Sequence, residues 1–159
     1  MRCVEAADNC ADTCLRVGNE EELCHFILDP KNIDPITKRI KSNYFDVDEL
    51  KAIGISVYRM TLLSKEELQQ AINAIVNNKV VQVFHFLCSK VRTIKRDGKT
   101  CYKVCPRPQN ARPSHSEVYF ANFFMQLPHS ECMRYRRKLI TSFDAPISIK
   151  RFEKRLPYR

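Results

Sequence analysis

The clearest periodic stretch begins at Ser64. Ser64-Lys65-Glu66-Glu67 has the form of a capping box, in which the serine hydroxyl accepts from the Glu67 N–H while Glu67 reaches back. Leu68, Ala71, Ile72 and Ile75 follow at helical spacing and form one buried stripe that ends at Asn77-Asn78. Upstream, Gly54 stops a short helix over residues 47–53 and precedes a β-prone run, ISVYRM, over 55–60. Downstream, VVQVFHFL over 80–87 is almost continuously apolar, as a central strand is. Residues 91–96 and 99–104 flank Asp97-Gly98, a favoured pair for a two-residue type I′ turn, and so predict a hairpin with a Lys- and Arg-rich outer edge. Three prolines mark 105–114 as a loop. A further strand is expected over 117–124, then a helix over 130–143 with Cys132, Tyr135, Leu139, Ile140 and Phe143 on its apolar side. Pro146 and Pro157 leave 145–159 extended or irregular, and 1–20 is read the same way.

This order predicts an α+β fold: a single domain over 1–159, with a largely antiparallel sheet, a β-hairpin and two main helices. The length suits one domain, and three glycines and eight prolines are too few for a low-complexity chain. No apolar run approaches the length of a membrane span, and the first residues lack the apolar stretch of a signal peptide. The eight cysteines are therefore read as reduced thiols in the cytoplasm, several of them packed as small hydrophobes.

Charge changes the picture. The net +9 is unevenly spread, with residues 1–30 at −5 and residues 134–159 at +7. Opposite ends of this kind can pair with each other, within one chain or between chains, or leave a basic surface for an anionic partner. On the predicted helix 130–143, Arg134, Arg137 and Lys138 fall within one arc away from much of the apolar side. Lys150, Arg151, Lys154 and Arg155 continue the positive charge, interleaved with Phe152 and Tyr158. Basic side chains neutralise phosphates and aromatics stack on unpaired bases, so these seven are the expected nucleic-acid-binding residues. A solvated helix face, or an acidic protein surface as partner, accounts for the same charge.

Two stretches, CHFILDPKNIDPITKRIKSNYFDVDELKAIGISVYRM (24–60) and RPSHSEVYFANF (112–123), together resemble small uncharacterised bacterial proteins. Those proteins pair a D-P-x-T-x-x-I … F … I-S-V segment with a downstream H-x-E segment. The resemblance covers about 50 residues, implies no activity, and draws attention to Ser56, His115 and Glu117.

His115 and Glu117 stand two apart, on one face of a strand, as a general acid/base pair would. His115-Ser-Glu117 has the H-x-E form of zinc deaminases, but their downstream P-C-x-x-C is missing, which excludes that chemistry. With His25 and Ser56, the two residues make a candidate polar pocket for a small hydrolase or nuclease. Cys24 and His25, adjacent in sequence, point in different directions and do not make a nucleophile–base pair with each other. Cys101, Cys105, His129 and Cys132 offer four soft donors in two short-spaced pairs, a possible zinc set, and Cys3, Cys10, Cys14 and Cys24 a second. Buried reduced cysteines explain both sets as well, so neither metal nor cofactor is expected. No G-x-S-x-G, phosphate-loop or H-E-x-x-H motif occurs. The reading from sequence is a non-catalytic, cytoplasmic binding module with a basic C-terminal face, its partner nucleic acid or another polyanion. The alternatives are a hydrolase or nuclease centred on His115 and Glu117, and a regulatory or structural subunit that binds an acidic protein surface.

Overall fold

A computed structural model describes residues 17–27, 29–73, 82–110 and 112–157. In chain order the elements are β1 (Glu22–Ile27), α1 (Val47–Ala52), β2 (Ile55–Arg59), α2 (Lys65–Asn73), β3 (Gln82–Leu87) and α3 (Cys88–Arg92). They continue as β4 (Lys95–Arg96), β5 (Lys99–Thr100), β6 (Tyr102–Pro106), β7 (His115–Phe120), α4 (His129–Ser142), β8 (Ile147–Ser148) and α5 (Ile149–Glu153). Six strands form one sheet in the order β6-β7-β2-β1-β3-β8, and β4 and β5 make a separate two-stranded hairpin. Every neighbouring pair is antiparallel. The architecture is α+β, and α2 and α4 are its two longer helices.

Side chains alternate between the faces of a sheet, and residues in register share a face. One face carries Leu23, Ile27, Val57, Phe84, Phe86, Val118 and Phe120 beneath the apolar sides of α1, α3 and α4. The other carries Cys24, Phe26, Tyr58 and Val83 beneath α2 and α5, which supply Leu68 and Phe152. The sheet thus separates two cores.

The capping box forms as its sequence requires: the Glu67 N–H donates to Ser64 Oγ (3.1 Å), and the Ser64 N–H to Glu67 Oε2 (3.2 Å). The end of the expected helix, at Asn77-Asn78, lies outside the described residues. Gly54 closes α1 with φ +75°, donating to the Glu49 carbonyl. An added Cβ there would sit 2.9 Å from the Tyr119 ring, so only glycine fits.

Five expectations change. Strand β1 was not foreseen, although it pairs with both β2 and β3 near the middle of the sheet; Glu22 and His25 break its apolar pattern. The Asp97-Gly98 turn is present, with φ +50° and +79°, but its strands are two residues each. Residues 91–92 belong to α3, and Cys101, buried, carries the chain from the hairpin into the main sheet. There its N–H meets the Ile94 carbonyl and its carbonyl the Ala121 N–H. The expected strand over 117–124 lies earlier, at His115–Phe120, because Asn122–Gln126 turns into a 3-10 helix. Pro106 is accommodated because β6 is an edge strand, so the loop expected from residue 105 begins later. Finally, part of the segment read as extended or irregular is regular, with β8 and α5 over residues 147–153. Ser148 Oγ accepts the Arg151 N–H to cap α5, and burial of Phe152 and Leu156 anchors it to the sheet. Residues 1–16 lie outside the described residues.

Candidate functional site

Strands β2 and β7 bring the candidate polar residues together. Their register sets Ser56 opposite Glu117 and Tyr58 opposite His115, all on the face covered by α2 and α5. Ser56 Oγ lies 2.5 Å from His115 Nε2, and His115 Nδ1 lies 2.9 Å from the Arg107 carbonyl. A carbonyl only accepts, so Nδ1 carries the proton and Nε2 receives the Ser56 hydroxyl. His115 is 3% exposed and is held in the tautomer that a base acting on serine requires.

Glu117 takes no part in that pair. Its carboxylate accepts the Tyr119 hydroxyl and lies 3.3 Å from Arg107 Nε. Burial, reinforced by Glu117, pushes the Tyr119 phenol up to about 12. Just ahead of His115, Ser114 donates from its N–H (3.1 Å) and hydroxyl (2.9 Å) to Glu67 Oε1. The buried capping carboxylate of α2 therefore also fixes the start of β7.

His25 sits on the opposite face. Only Leu23 and Cys24 pair with β2; beyond them the His25 ring takes over the contact, with Nδ1 donating to the Ser56 carbonyl (2.6 Å). Its Nε2 accepts the Tyr44 hydroxyl (3.0 Å), and the ring stacks on Phe84 at 5.1 Å. Burial pushes its pKa down to about 4, so the ring is neutral near pH 7. Of the four candidates, then, Ser56 meets both histidines, by its hydroxyl on one face and its carbonyl near the other. Cys24 turns away from His25 into the second core, where burial raises its thiol pKa.

The seven basic candidates fall into two groups. Arg134, Arg137 and Lys138 are exposed on α4, whose apolar side packs on the first core. Lys138 Nζ lies 4.6 Å from the centre of the Tyr135 ring, and Arg134 lies 3.8 Å from Glu131. Lys150, Arg151, Lys154 and Arg155 belong to α5 and the residues after it, over the second core. Of these, Arg155 donates from Nη1 to His85 Nε2. Asp144 approaches the other nitrogen of His85 at 3.2 Å. The sheet places the two groups on opposite sides of the molecule.

Next to α4 lies a cleft of about 660 Å³ between that helix and the loop over 34–43. Arg39, Lys41, Arg136 and Arg137 line it, together with one carboxylate, Asp34. Two guanidinium groups tie the loop and the residues just after it to α4 and its C-terminal end: Arg39 Nη2 donates to the Phe143 carbonyl (2.8 Å), and Arg136 Nη1 to the Phe45 carbonyl (3.0 Å). Asp34 is occupied by the loop itself. The N–H groups of Thr37 and Ile36 donate to its carboxylate and hold its pKa below the usual carboxylate range. Arg39, Lys41 and Arg136 were not among the expected site residues. Arg136 left one signal, a charge within the apolar stripe of Cys132, Tyr135, Leu139 and Ile140.

The suggested zinc ligands do not converge. Among the described residues, no three His, Cys, Asp or Glu side chains gather as a metal would need. Cys101 and Cys132 are free and buried, and Cys132 Sγ points to the carbonyls of Phe124 and Leu127. Cys105 is disulfide-bonded, and His129 is exposed at the start of α4. Of the second set, only Cys24 lies within the described residues, as a buried free thiol. Among the described residues, no helix is long and apolar enough to cross a membrane. In comparisons with protein-family models, curated proteins and solved structures, nothing matches this chain.

Proposed function

We propose that the protein is a non-catalytic binding module for nucleic acid, which it meets chiefly through phosphates on the exposed side of α4. The observation that carries this reading is the arrangement of that helix. Cys132, Tyr135, Leu139 and Ile140 commit one side to the core, and Arg134, Arg137 and Lys138 are left in solvent beside one another. Contacts of this kind position a backbone and read little sequence. The proposal places the protein in the cytoplasm, a setting that the free thiols of Cys24, Cys88, Cys101 and Cys132 suit and the disulfide at Cys105 does not.

The test is fluorescence anisotropy with short single- and double-stranded oligonucleotides across a salt series. The logarithm of affinity should fall linearly with the logarithm of salt, by about 0.7–0.9 per phosphate met. Combined Arg134→Glu, Arg137→Glu and Lys138→Glu should abolish binding while leaving the melting temperature near that of the wild type. Unchanged affinity in that variant sinks the proposal, and binding to an acidic protein instead favours a regulatory subunit.

A second reading rests on the Ser56–His115 pair, and it moves the hydrolase alternative from His115 with Glu117 to Ser56 with His115. As Ser56 Oγ attacks an electrophile, its proton passes to His115 Nε2, while Nδ1–H stays on the Arg107 carbonyl. A fluorophosphonate probe should then label Ser56, and His115→Ala should end labelling without unfolding the protein. An unlabelled, folded wild type dismisses this reading.

A further inference from the structure

The cleft beside α4 has a feature that its protein contacts leave unexplained. Arg136 is only 9% exposed and donates from Nη1 to the Phe45 carbonyl, yet its buried Nε–H has no acceptor among the described residues. A buried guanidinium N–H without a partner is costly and rare. Arg136 also lines the cleft, so an anion bound there lies beside a guanidinium whose donors the protein leaves incompletely paired. Arg39, Lys41 and Arg137 line the same cleft, and its one carboxylate, Asp34, is turned to its own loop. The local charge thus favours a group with more than one negative charge, as a terminal phosphate has.

Size and lining narrow the ligand further. A cleft of about 660 Å³ exceeds what a bare phosphate fills and falls within the range of sites that take small organic molecules. Ile40, Met133 and Ile140 supply an apolar part suited to a base or sugar. Arg137 belongs both to the cleft and to the exposed arc of α4, with Arg134 one helical turn away. A strand whose end lies in the cleft can therefore continue along the helix.

We infer that this cleft holds the terminal phosphate of a nucleic-acid strand together with its end nucleotide. The inference rests on the nucleic-acid reading above. Its test compares oligonucleotides of one sequence carrying a 5′-phosphate, a 3′-phosphate or no terminal phosphate, each with an internal fluorophore. Adenosine 5′-monophosphate, followed by calorimetry, serves as the free-nucleotide arm.

One of the phosphorylated ends should bind at least tenfold tighter than the unphosphorylated strand. Combined Lys41→Ala and Arg137→Ala should remove that preference and keep a weaker, salt-sensitive affinity for all three strands. Both side chains are exposed, so the fold should survive the change. Equal affinity for all three oligonucleotides overturns the inference and leaves the nucleic-acid reading standing. A preference that persists in the double variant also overturns it. Binding of the mononucleotide without any oligonucleotide overturns both, since the cleft then serves a free nucleotide. If neither oligonucleotide nor mononucleotide binds at low salt, both fall together.

Discussion

The His25 imidazole donates from Nδ1 to the Ser56 carbonyl and accepts the Tyr44 hydroxyl, a part that suits only the neutral ring. Its pKa in the folded protein is about 4, against about 6.5 for an unfolded chain. Between those values the unfolded state binds a proton that the native state does not. Its contribution to stability is therefore full above about pH 6.5 and is lost as the pH falls toward 4. From pH 7.5 to 5 this amounts to about 2 kcal/mol. Urea unfolding at the two values should show that loss in the wild type and not in His25→Gln; a loss of equal size in both would assign it to other groups. His115, on β7 beyond β2, bonds through Nδ1 to the Arg107 carbonyl and turns Nε2 to a different neighbour, the Ser56 hydroxyl. Sequence picked out both histidines. Their separation onto opposite faces follows from the β1–β2–β7 register, which depends on a strand, β1, with no clear alternation.

At the scale of elements, α2 shows how far a local signal reaches. Ser64 and Glu67 form the capping box that their spacing predicts, because both partners lie within one turn. The second task of Glu67, accepting two hydrogen bonds from Ser114 forty-seven residues away, has no local trace. Glu67 is 3% exposed, so removing it strands donors in the interior. Glu67→Ala should cost about 2–4 kcal/mol, and Ser64→Ala, which loses only the cap, about 1 kcal/mol. Equal losses in thermal or urea unfolding would show that the link to Ser114 contributes nothing. Helix α5 gives the opposite lesson. Its prolines suggested irregular chain, but Ser148 caps a short helix and Phe152 finds a slot beneath the sheet, a gain that only the second core makes visible.

For the whole molecule, the sheet is a partition. It sets the basic residues of α4 and those around α5 on opposite sides, although they are neighbours in sequence. Reversing Arg134, Arg137 and Lys138 should therefore weaken oligonucleotide binding far more than reversing Lys150, Arg151 and Lys154. The anisotropy assay with the two triple variants at one salt concentration checks this, and equal losses would mean that the partner wraps both sides. The cleft belongs to the α4 side, where Arg39 reaches the Phe143 carbonyl after the helix and Arg136 the Phe45 carbonyl after the loop.

Local physics determined much of this protein from its sequence: the α+β class, the capped helix α2, the Asp97-Gly98 turn, the apolar side of α4 and its exposed cations. Each depends on residues a turn or a strand apart, so periodicity and turn chemistry report it directly. Tertiary structure alone decided which side of the sheet each element covers, and hence that His25 leaves the Ser56–His115 pair and that the basic groups separate. It also decided the cleft, whose cations come from residues 39, 41, 136 and 137. Such proximity depends on strand order and register, which join residues a hundred positions apart. A one-residue shift in register would turn every side chain of a strand to the other face.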